Sequence, residues 1–293
     1  MAEATAGAII SSSANPVVKR VRLLAERKHR RREGAFVVQG IQPVWQAVEA
    51  GADIEVLIVA PDLLKPPAAQ AMVMQEEERG TRVARVTGEL FARIADRDGP
   101  AGLAAIVRAR PVPLAALDVP AGALFVALHE PGNPGNVGTI IRTASAAGAA
   151  GVILTGAATD PYDPVAVKAS MGALFEVPVA AASAQEFLDW SARHQVTVAA
   201  ASARGDRSLW EAEFPAPLAL LLGSEGEGLP GSLLDQAGLQ VRIPMVGTAE
   251  SLNLAVAAGV LLYEVRRRTG LAGPGRTVPP TRPGPARAYR IPS

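Results

Sequence analysis

The sequence predicts an α/β protein built from two domains. Short apolar runs of strand length alternate with stretches of helical periodicity along most of the chain, a pattern typical of sheets flanked by helices. At 293 residues the chain is long enough for two domains, and its 49% hydrophobic but only 4% aromatic content predicts an aliphatic core. Near the C-terminal end, a short apolar run leads directly into a glycine-dense turn. Open α/β sheets usually bind small molecules at such strand ends.

The composition excludes several kinds of chemistry and of location. The chain has no cysteine, which excludes disulfides, thiolate metal sites and cysteine nucleophiles. The three histidines, His29, His129 and His194, are scattered, so no metal site is expected. No apolar run reaches membrane-spanning length, and the N-terminus lacks the basic start and apolar centre of a signal peptide. The expectation is a cytoplasmic protein with no membrane partner.

Charge is concentrated at the two ends of the chain. The net charge is only +1, but residues 15–33 carry eight Lys and Arg against two Glu, and residues 266–293 carry seven Arg and no acid. The body between them is therefore acidic. Two basic ends on an acidic body indicate a polyanionic partner.

The first domain is predicted to span residues 11–110 and to begin with an amphipathic helix within residues 11–33. One face of this helix is apolar and carries Val17, Val18, Val21, Leu24 and Ala25. Most cations lie off that face, and six are candidate phosphate contacts: Lys19, Arg22, Arg27, Lys28, Arg30 and Arg31. Such contacts give a nucleic-acid-binding protein affinity without sequence information. The alternative is a basic face that is merely solvated.

Strands and helices alternate through the rest of this domain. Apolar runs predict strands over residues 34–40, 54–60, 82–86 and 103–107. Between them, a helix is expected over residues 41–50, with Trp45 and Val48 facing inward, and another within residues 62–79, after Pro67. The proline-containing segment 111–122 is the predicted linker.

The second domain, predicted over residues 123–267, continues the alternation. Its predicted strands cover residues 123–128, 152–155, 196–201 and 218–222, with further pieces from 178 and 241. Its predicted helices cover residues 137–147, 165–174 and 184–194, and a last one starts at about Ser251, a plausible N-cap. Residues 160–164 indicate a turn, and right-handed crossovers are expected. Residues 268–293, dominated by Pro, Gly and Arg, predict a disordered basic tail.

Two turns in this domain each follow a short strand, and together they can form one pocket. Gly223–Gly228 follows the strand at 218–222, and Val246–Glu250 follows the apolar piece at 241–245. Glycine suits backbone with positive φ or backbone close to a ligand. Two alternatives stay open: a pair of ordinary loops, or a nucleotide-dependent enzyme that binds phosphate. Against the second, the chain has no GxxxxGKS/T sequence.

Three motifs resemble those of the SpoU family of RNA ribose 2′-O-methyltransferases, in the SPOUT superfamily. GSEGEGL at 223–229 and IPM at 243–245, followed by ESLNLAVAAGVLLYE at 250–264, resemble the second and third family motifs. Asn136 and Arg142, in NVGTIIR, resemble the first. The motifs occur in the family's order. The resemblance implies an α/β methyltransferase domain with a C-terminal trefoil knot, which uses S-adenosylmethionine.

The N-terminal half is similar to a second family feature. NPVVK at 15–19, RKHR at 27–30 and GAFVVQG at 34–40 resemble the small L30e-like α/β substrate-binding domain that precedes many SpoU catalytic domains. The six cations named above then become candidate RNA contacts. One departure is Gln39, where the family often has Glu.

The resemblance also implies the site residues. The implied catalytic residues are Asn136, Arg142, Glu225, Ser251 and Asn253. The implied cofactor-binding residues are Leu222, Gly223, Gly228, Ile243, Met245, Ser251 and Leu252. Arg142 either helps to remove the 2′-hydroxyl proton or orients a phosphate, and an arginine, almost always protonated, is a poor base. This chemistry needs no metal.

Several alternatives remain for the target. A separate N-terminal domain favours ribosomal RNA, most of all 23S, over transfer RNA. DPYDPVAVKASMGALF, at 160–175, resembles a subgroup of rRNA methyltransferases that confer resistance to ribosome-targeting antibiotics, and a housekeeping enzyme fits equally well. A third class is an inactive RNA-binding protein, which the intact motif residues disfavour.

A homodimer is also expected. The last predicted helix is apolar on nearly all sides, so its apolar residues cannot all face one sheet. They are Leu252, Leu254, Val256, Val260, Leu261 and Leu262. The resemblance adds that family members dimerise through this region, which would place each active site near the subunit interface.

Overall fold

Two β-sheets, one in each half of the chain, organise the protein. The computed structural model describes residues 9–95, 99–157 and 159–269. A four-stranded sheet lies in the first half and a seven-stranded sheet in the second, with helices packed on both. The predicted α/β class is therefore confirmed. Residues 270–293, which make up most of the predicted basic tail, lie outside the described residues.

The first sheet is flanked by helices on each face. In chain order the elements are α1 (Pro16–Leu23), α2 (Arg27–Glu33), β1 (Ala35–Gln39), α3 (Ile41–Glu49), β2 (Ile54–Val59), α4 (Pro67–Glu78), β3 (Val83–Arg85), α5 (Gly88–Ile94) and β4 (Leu103–Arg108). The strand order is β1-β4-β2-β3, with β4 antiparallel to both neighbours and β2 parallel to β3. Alternate strand residues face opposite sides. One set packs on α1 and α5, and the other packs on α3 and α4.

The predicted N-terminal helix is in fact two helices. Asn15 caps α1 by accepting a hydrogen bond from the Val17 N–H at 2.9 Å. A break at residues 24–26 separates α1 from α2, and α2 ends at Gly34, which has a φ of 61°. The predicted apolar face is buried except for Ala25, which is exposed because it lies in this break.

The helix α3 packs on the first sheet as predicted. Pro43, Val44 and Ala47 are buried, and the predicted inward residues Trp45 and Val48 are partly buried and pack against the same apolar cluster. The Trp45 Nε1–H donates to Glu49 at 2.7 Å near the surface. The short helix α5 was not predicted. It begins where the Thr87 hydroxyl accepts a hydrogen bond from the Leu90 N–H at 3.3 Å.

The second sheet is parallel throughout. In chain order the elements are β5 (Leu124–His129), α6 (Pro134–Ala146), β6 (Gly151–Thr155), α7 (Pro164–Ser170), β7 (Val179–Ala182), α8 (Ala184–Arg193), β8 (Thr197–Ala201), β9 (Arg207–Ser208), β10 (Leu218–Leu222), α9 (Gly231–Leu234), β11 (Leu239–Arg242) and α10 (Leu254–Thr269). The strand order is β7-β6-β5-β10-β8-β11-β9. β5 and β10 pair at the centre and are apolar on both faces, as expected for parallel strands covered on both sides. α6 and α10 cover one face, and α8 the other.

Several predicted boundaries in this half shift. α6 begins at Pro134, three residues before its predicted start, because the Asn133 side chain caps it by accepting from the N–H groups of Gly135 and Asn136. α7 ends at Ser170 because Met171 has a left-handed φ of 51°. β9 and α9 were not predicted.

The two halves are in direct contact. The Phe36 ring, on β1, lies 4.7 Å from the Tyr162 ring, and Val167, on α7, joins the apolar cluster beneath α3 and α4. The segment 111–122, predicted as a linker, packs on the second sheet, where Leu117 is buried. Within the described ranges, no helix has the length and apolarity that a membrane crossing requires.

Candidate active site

Three loops meet at one edge of the second sheet. They follow β5, β10 and β11, and because these strands are parallel, their carboxyl ends lie at the same edge. The loop after β5 leads into α6, the loop after β10 is the glycine-dense turn, and the loop after β11 leads into α10. The structure therefore brings all three sequence motifs to the place where open α/β sheets bind ligands.

The glycine-dense turn folds back on itself. Ser224 and Gly228 exchange backbone hydrogen bonds at 3.2 and 3.1 Å. A Cβ at Gly223 would lie only 2.1 Å from the carbonyl carbon of Gly228, and Gly228 itself has a φ of 70°. Both positions require glycine. The close approach at Gly223 is thus to the turn's own backbone, which shapes the loop before any ligand binds.

A chain of side-chain hydrogen bonds joins the three motifs; we call it the carboxylate–amide relay. One Glu225 oxygen accepts from Asn136 Nδ2 at 2.9 Å, and the other accepts from the Gly132 N–H at 3.1 Å. Asn136 Oδ1 in turn accepts from Asn253 Nδ2 at 3.1 Å. An ionised carboxylate only accepts, so the Asn136 amide group must face Glu225 and its carbonyl must face Asn253.

Asn253 is held in place at the start of the last helix. Its Oδ1 accepts from the N–H groups of Ala255 and Val256 at 3.0 and 3.3 Å, so Asn253, and not the predicted Ser251, caps α10. With Oδ1 fixed on the helix, its Nδ2 can only point away, towards Asn136. Ser251 lies exposed in the loop, three residues before α10 begins.

The relay keeps Glu225 ionised. Burial acts to raise the pKa of Glu225, but the hydrogen bonds from the Asn136 side chain and from the backbone of Glu225, Gly132 and Asn133 together lower that pKa below its ordinary 4.5. Glu225 is therefore a hydrogen-bond acceptor at neutral pH, and it cannot supply a proton.

Arg142 does not join the relay. It lies six residues after Asn136 on α6, which is about 9 Å along the helix and about 240° around it. Its side chain is exposed and makes no hydrogen bond or ion pair to the described part of the chain. The neighbouring Thr143 lies against α10, where its Cγ2 is 3.8 Å from the Cβ position of Gly259. Arg142, one residue earlier, points about 100° away from Thr143 around α6.

The predicted cofactor residues flank the same loops. Leu222 is buried at the end of β10, and Ile243 is partly buried just beyond β11. Met245 and Leu252 are 39% and 36% exposed, and next to Met245 the side chain of Val246 is 99% exposed. Apolar side chains left in solvent around glycine-shaped backbone suit an aromatic or aliphatic ligand, or a partner surface. This fits the adenosyl group of S-adenosylmethionine.

The predicted RNA contacts fall into two sets. Lys19, Arg22, Arg27, Lys28 and Arg31 are exposed, but Arg30 is only 4% exposed. Arg30 forms ion pairs with Asp160 at 2.9 Å and Asp163 at 3.2 Å. Its Nη1 also donates to the carbonyls of Leu24 and Ala25. These partners occupy its guanidinium, whereas the other five predicted RNA contacts have exposed side chains.

A cleft between the two halves was not foreseen from the sequence. Its volume is about 1230 Å³, and it is lined by α2, by β7 and by the segment after β6. Tyr162 lines it too, and burial, with the adjacent Asp160 carboxylate, raises the pKa of Tyr162 to about 12. A turn was predicted at 160–164, but no sequence signal placed it opposite the basic helix.

Among residues 9–95, 99–157 and 159–269, no three His, Asp or Glu side chains come together as a metal site. His129 pairs instead with the Thr155 hydroxyl, with 3.1 Å between Nδ1 and Oγ1.

Comparison with known proteins gives consistent matches. A model described as the SpoU rRNA Methylase family matches residues 123–263, and one described as an MRM3-like substrate binding domain matches residues 15–105. The 23S rRNA (uridine(2479)-2′-O)-methyltransferase of Streptomyces viridochromogenes is 34% identical over 88% of this chain and 91% of its own length. The 23S rRNA (guanosine(2553)-2′-O)-methyltransferase RlmP of Bacillus subtilis is 27% identical over 88% of this chain and 98% of its own length. The AdoMet-bound rRNA methyltransferase from Sinorhizobium meliloti has a similar structure, with a TM-score of 0.82 and 37% identity over 89% and 98% of the two chains.

Proposed function

Because this chain belongs to the SpoU family of RNA methylases, we propose that it transfers a methyl group from S-adenosylmethionine to a ribose 2′-hydroxyl of 23S ribosomal RNA. One observation supports the proposal above all others. The carboxylate–amide relay from Glu225 through Asn136 to Asn253 is complete, and it lies beside the cofactor loops. The intact relay disfavours an RNA-binding protein that has lost its activity.

The residues around the glycine-dense turn would hold the cofactor. S-adenosylmethionine supplies a methyl group on a positively charged sulfonium. The turn that Gly223 and Gly228 shape would offer backbone groups to it, while Met245 and Leu252 would provide apolar cover for its adenosine. No carboxylate is needed to bind the adenine, since backbone groups can form its hydrogen bonds.

The relay would orient the nucleophile. In the reaction the ribose 2′-oxygen forms a bond to the methyl carbon, the carbon–sulfur bond breaks with its electron pair staying on sulfur, and the hydroxyl proton is released to water, directly or by way of Arg142. Placing the oxygen in line with that bond supplies much of the catalysis. The amides of Asn136 and Asn253, fixed by Glu225 and by α10, present polar groups that are already ordered.

Arg142 would act at the RNA. Its guanidinium has no partner in the described part of the chain, which leaves its fork of donors free for a phosphate. We assign it the role of orienting the target nucleotide, with removal of the hydroxyl proton as the alternative role. Substitution by lysine separates the two. If Arg142 only binds a phosphate, the lysine variant should keep part of the activity, because lysine is also a cation. If Arg142 accepts the proton, the lower pKa of lysine should shift the pH dependence of kcat.

A homodimer would complete the site. Val256 and Tyr263, on α10, are each 52% exposed, and α10 packs beside α6, the helix that carries Arg142. A second copy packed on this face would cover the apolar side chains. Because Arg142 lies on a different face of α6 from Asn136, we propose that it serves the site across the subunit interface.

We extend the proposal to the arrangement of the chain. Residues 11–110 form an L30e-like RNA-binding domain, 111–122 a linker, and 123–267 a methyltransferase domain with a trefoil knot at its C-terminal end. The enzyme acts in the cytoplasm, where its RNA is made. Transfer RNA is the less favoured substrate, because the two relatives described above that have a named target modify 23S rRNA.

The test is methylation of purified 23S and transfer RNAs with labelled S-adenosylmethionine, followed by mapping of the modified nucleotide. The expected product is a single 2′-O-methyl nucleotide in 23S rRNA, formed equally well with EDTA present. A methylated base, a modified tRNA, or transfer that EDTA abolishes would contradict the proposal. Comparing antibiotic sensitivity with and without the gene decides between a resistance role and a housekeeping role.

A further inference from the structure

The cleft between the two halves has one strongly basic wall. Arg27, Lys28, Arg31 and Arg32 line it from α2. Lys28 and Arg31 are exposed and form no ion pair with the described residues. They are three residues apart on α2, so both side chains project on the same side of the helix.

The acids near this wall are already neutralised. Asp160 lines the cleft and Asp163 lies close by, and both carboxylates are paired with the buried Arg30. Each uses its second oxygen locally: Asp160 accepts from the Tyr162 N–H at 2.9 Å, and Asp163 accepts from the Val165 N–H at 3.0 Å. The charge left for a ligand is therefore positive.

The opposite wall is mostly small or apolar. Among the residues that line it are Leu154, Gly156, Ala180 and Ala181. The cleft is open, and its volume of about 1230 Å³ exceeds the roughly 300–1,000 Å³ of a typical small-molecule pocket. Such a site suits an extended polyanion held by its charge.

The cleft is also well placed relative to the active site. It borders β6 and β7, while the carboxylate–amide relay lies at the ends of β5 and β10. The strand order β7-β6-β5-β10 puts these positions about 10 Å apart, or two strand spacings. One RNA chain could occupy both.

From these observations we infer that the cleft binds the sugar–phosphate backbone of the RNA next to the target nucleotide, with Lys28 and Arg31 as its phosphate contacts. This inference rests on the proposed function. Of the six cations predicted to contact RNA, the inference selects Lys28 and Arg31, and it assigns Arg30 a structural role. Arg30 ties α1 and α2 to the turn before α7, and so holds the two walls together.

The test compares two matched double variants of the full chain. Lys28→Ala with Arg31→Ala removes the cleft pair. Lys19→Ala with Arg22→Ala removes an exposed Lys and Arg with the same spacing on α1, outside the cleft. Both should keep the wild-type Tm and affinity for S-adenosylmethionine, since all four side chains are exposed.

RNA affinity is then measured at several salt concentrations, with a 23S rRNA fragment as the probe. The slope of log K against log salt is negative, and each phosphate contact contributes about 0.7–0.9 to its magnitude. Loss of the cleft pair should therefore make the slope shallower by about 1.4–1.8. The control pair should leave the slope unchanged. Equal effects of both pairs would mean general charge attraction, and no effect of the cleft pair would mean that RNA does not enter the cleft. Either result overturns the inference.

Failure of the proposed function would look different. Suppose the wild-type protein binds the fragment through the cleft pair but transfers no methyl group. The proposed activity would then be wrong, and RNA binding in the cleft would stand. If instead the wild-type protein methylates 23S rRNA and the cleft variant keeps the wild-type salt slope, only the inference about the cleft would be wrong.

Discussion

Replacing Glu225 with Gln should disrupt the carboxylate–amide relay without changing its size. Glu225 accepts from two donors, Asn136 Nδ2 at 2.9 Å and the Gly132 N–H at 3.1 Å. A glutamine keeps one acceptor and brings an NH₂ group against the other donor. Flipping the Asn136 amide would not help, because it would only move the mismatch to Asn253, whose orientation is fixed by the cap of α10.

The size of the effect follows from the bond that is lost. A hydrogen bond to a charged group contributes about 1.5–3 kcal/mol, and Glu225 lies near solvent, so we take the lower end, about 1.5 kcal/mol. At about 1.4 kcal/mol per factor of ten, kcat should fall roughly tenfold. The affinity for S-adenosylmethionine should change little, because the turn at Gly223 is fixed by its own backbone.

The assay is single-turnover transfer to 23S rRNA with saturating cofactor. Glu227→Gln is the matched control: it makes the same charge change in the same loop, at an exposed residue. A Glu225→Gln rate within twofold of wild type, or an equal fall in the control, would refute the reasoning. The pKa of Glu225 is lowered on folding, so its stabilising contribution is complete above its ordinary 4.5 and is lost as the pH falls through the lowered value. The glutamine variant should lack that dependence.

Three further predictions test the packing around the site. Gly138→Ala should lower stability by about 1–3 kcal/mol, because the new Cβ would lie 2.2 Å from the Ala166 carbonyl oxygen; Gly231→Ala, in open space, is the control for thermal melts. Hydrogen bonds from Arg267 and Arg268 lower the pKa of Glu264 to about 2. The Tm of the wild type should therefore exceed that of Glu264→Gln by a constant amount above pH 4.5, and this difference in Tm should vanish as the pH falls to about 2. Val256→Glu should give monomers with little activity in sedimentation and transfer assays, and a wild-type monomer of full activity would rule the dimer out.

Local sequence was enough to predict most of the strands. β10 occupies the predicted residues 218–222, and β2, β4 and β6 differ from prediction by one residue at one end. Their apolar runs are short and bounded by turn residues, so burial and strand length agree. The Asn-Pro pair at 15–16 marks a helix start, and the same cap-then-proline signal at 133–134 and 163–164 would have placed α6 and α7 correctly.

The sequence also predicted the members of the site through the family's motifs, but not their contacts. Glu225 and Asn136 are 89 residues apart, and Asn136 and Asn253 are 117 apart. No helical or strand period connects such positions. They meet because β5 and β10 pair in the sheet and α10 packs beside α6. The geometry of the relay is thus a property of the tertiary structure.

Arg30 shows the same limit in the N-terminal half. In the sequence it is one Lys or Arg among eight in residues 15–33, and the other Lys and Arg residues of α2 are exposed. Only the packing of the two halves brings Asp160 and Asp163 to it across 130 and 133 residues. A charge pattern reports how many cations a helix has, whereas burial and ion pairing depend on what packs against it. The sequence therefore determined the basic helices, and the tertiary structure decided which of their cations remain free to meet RNA.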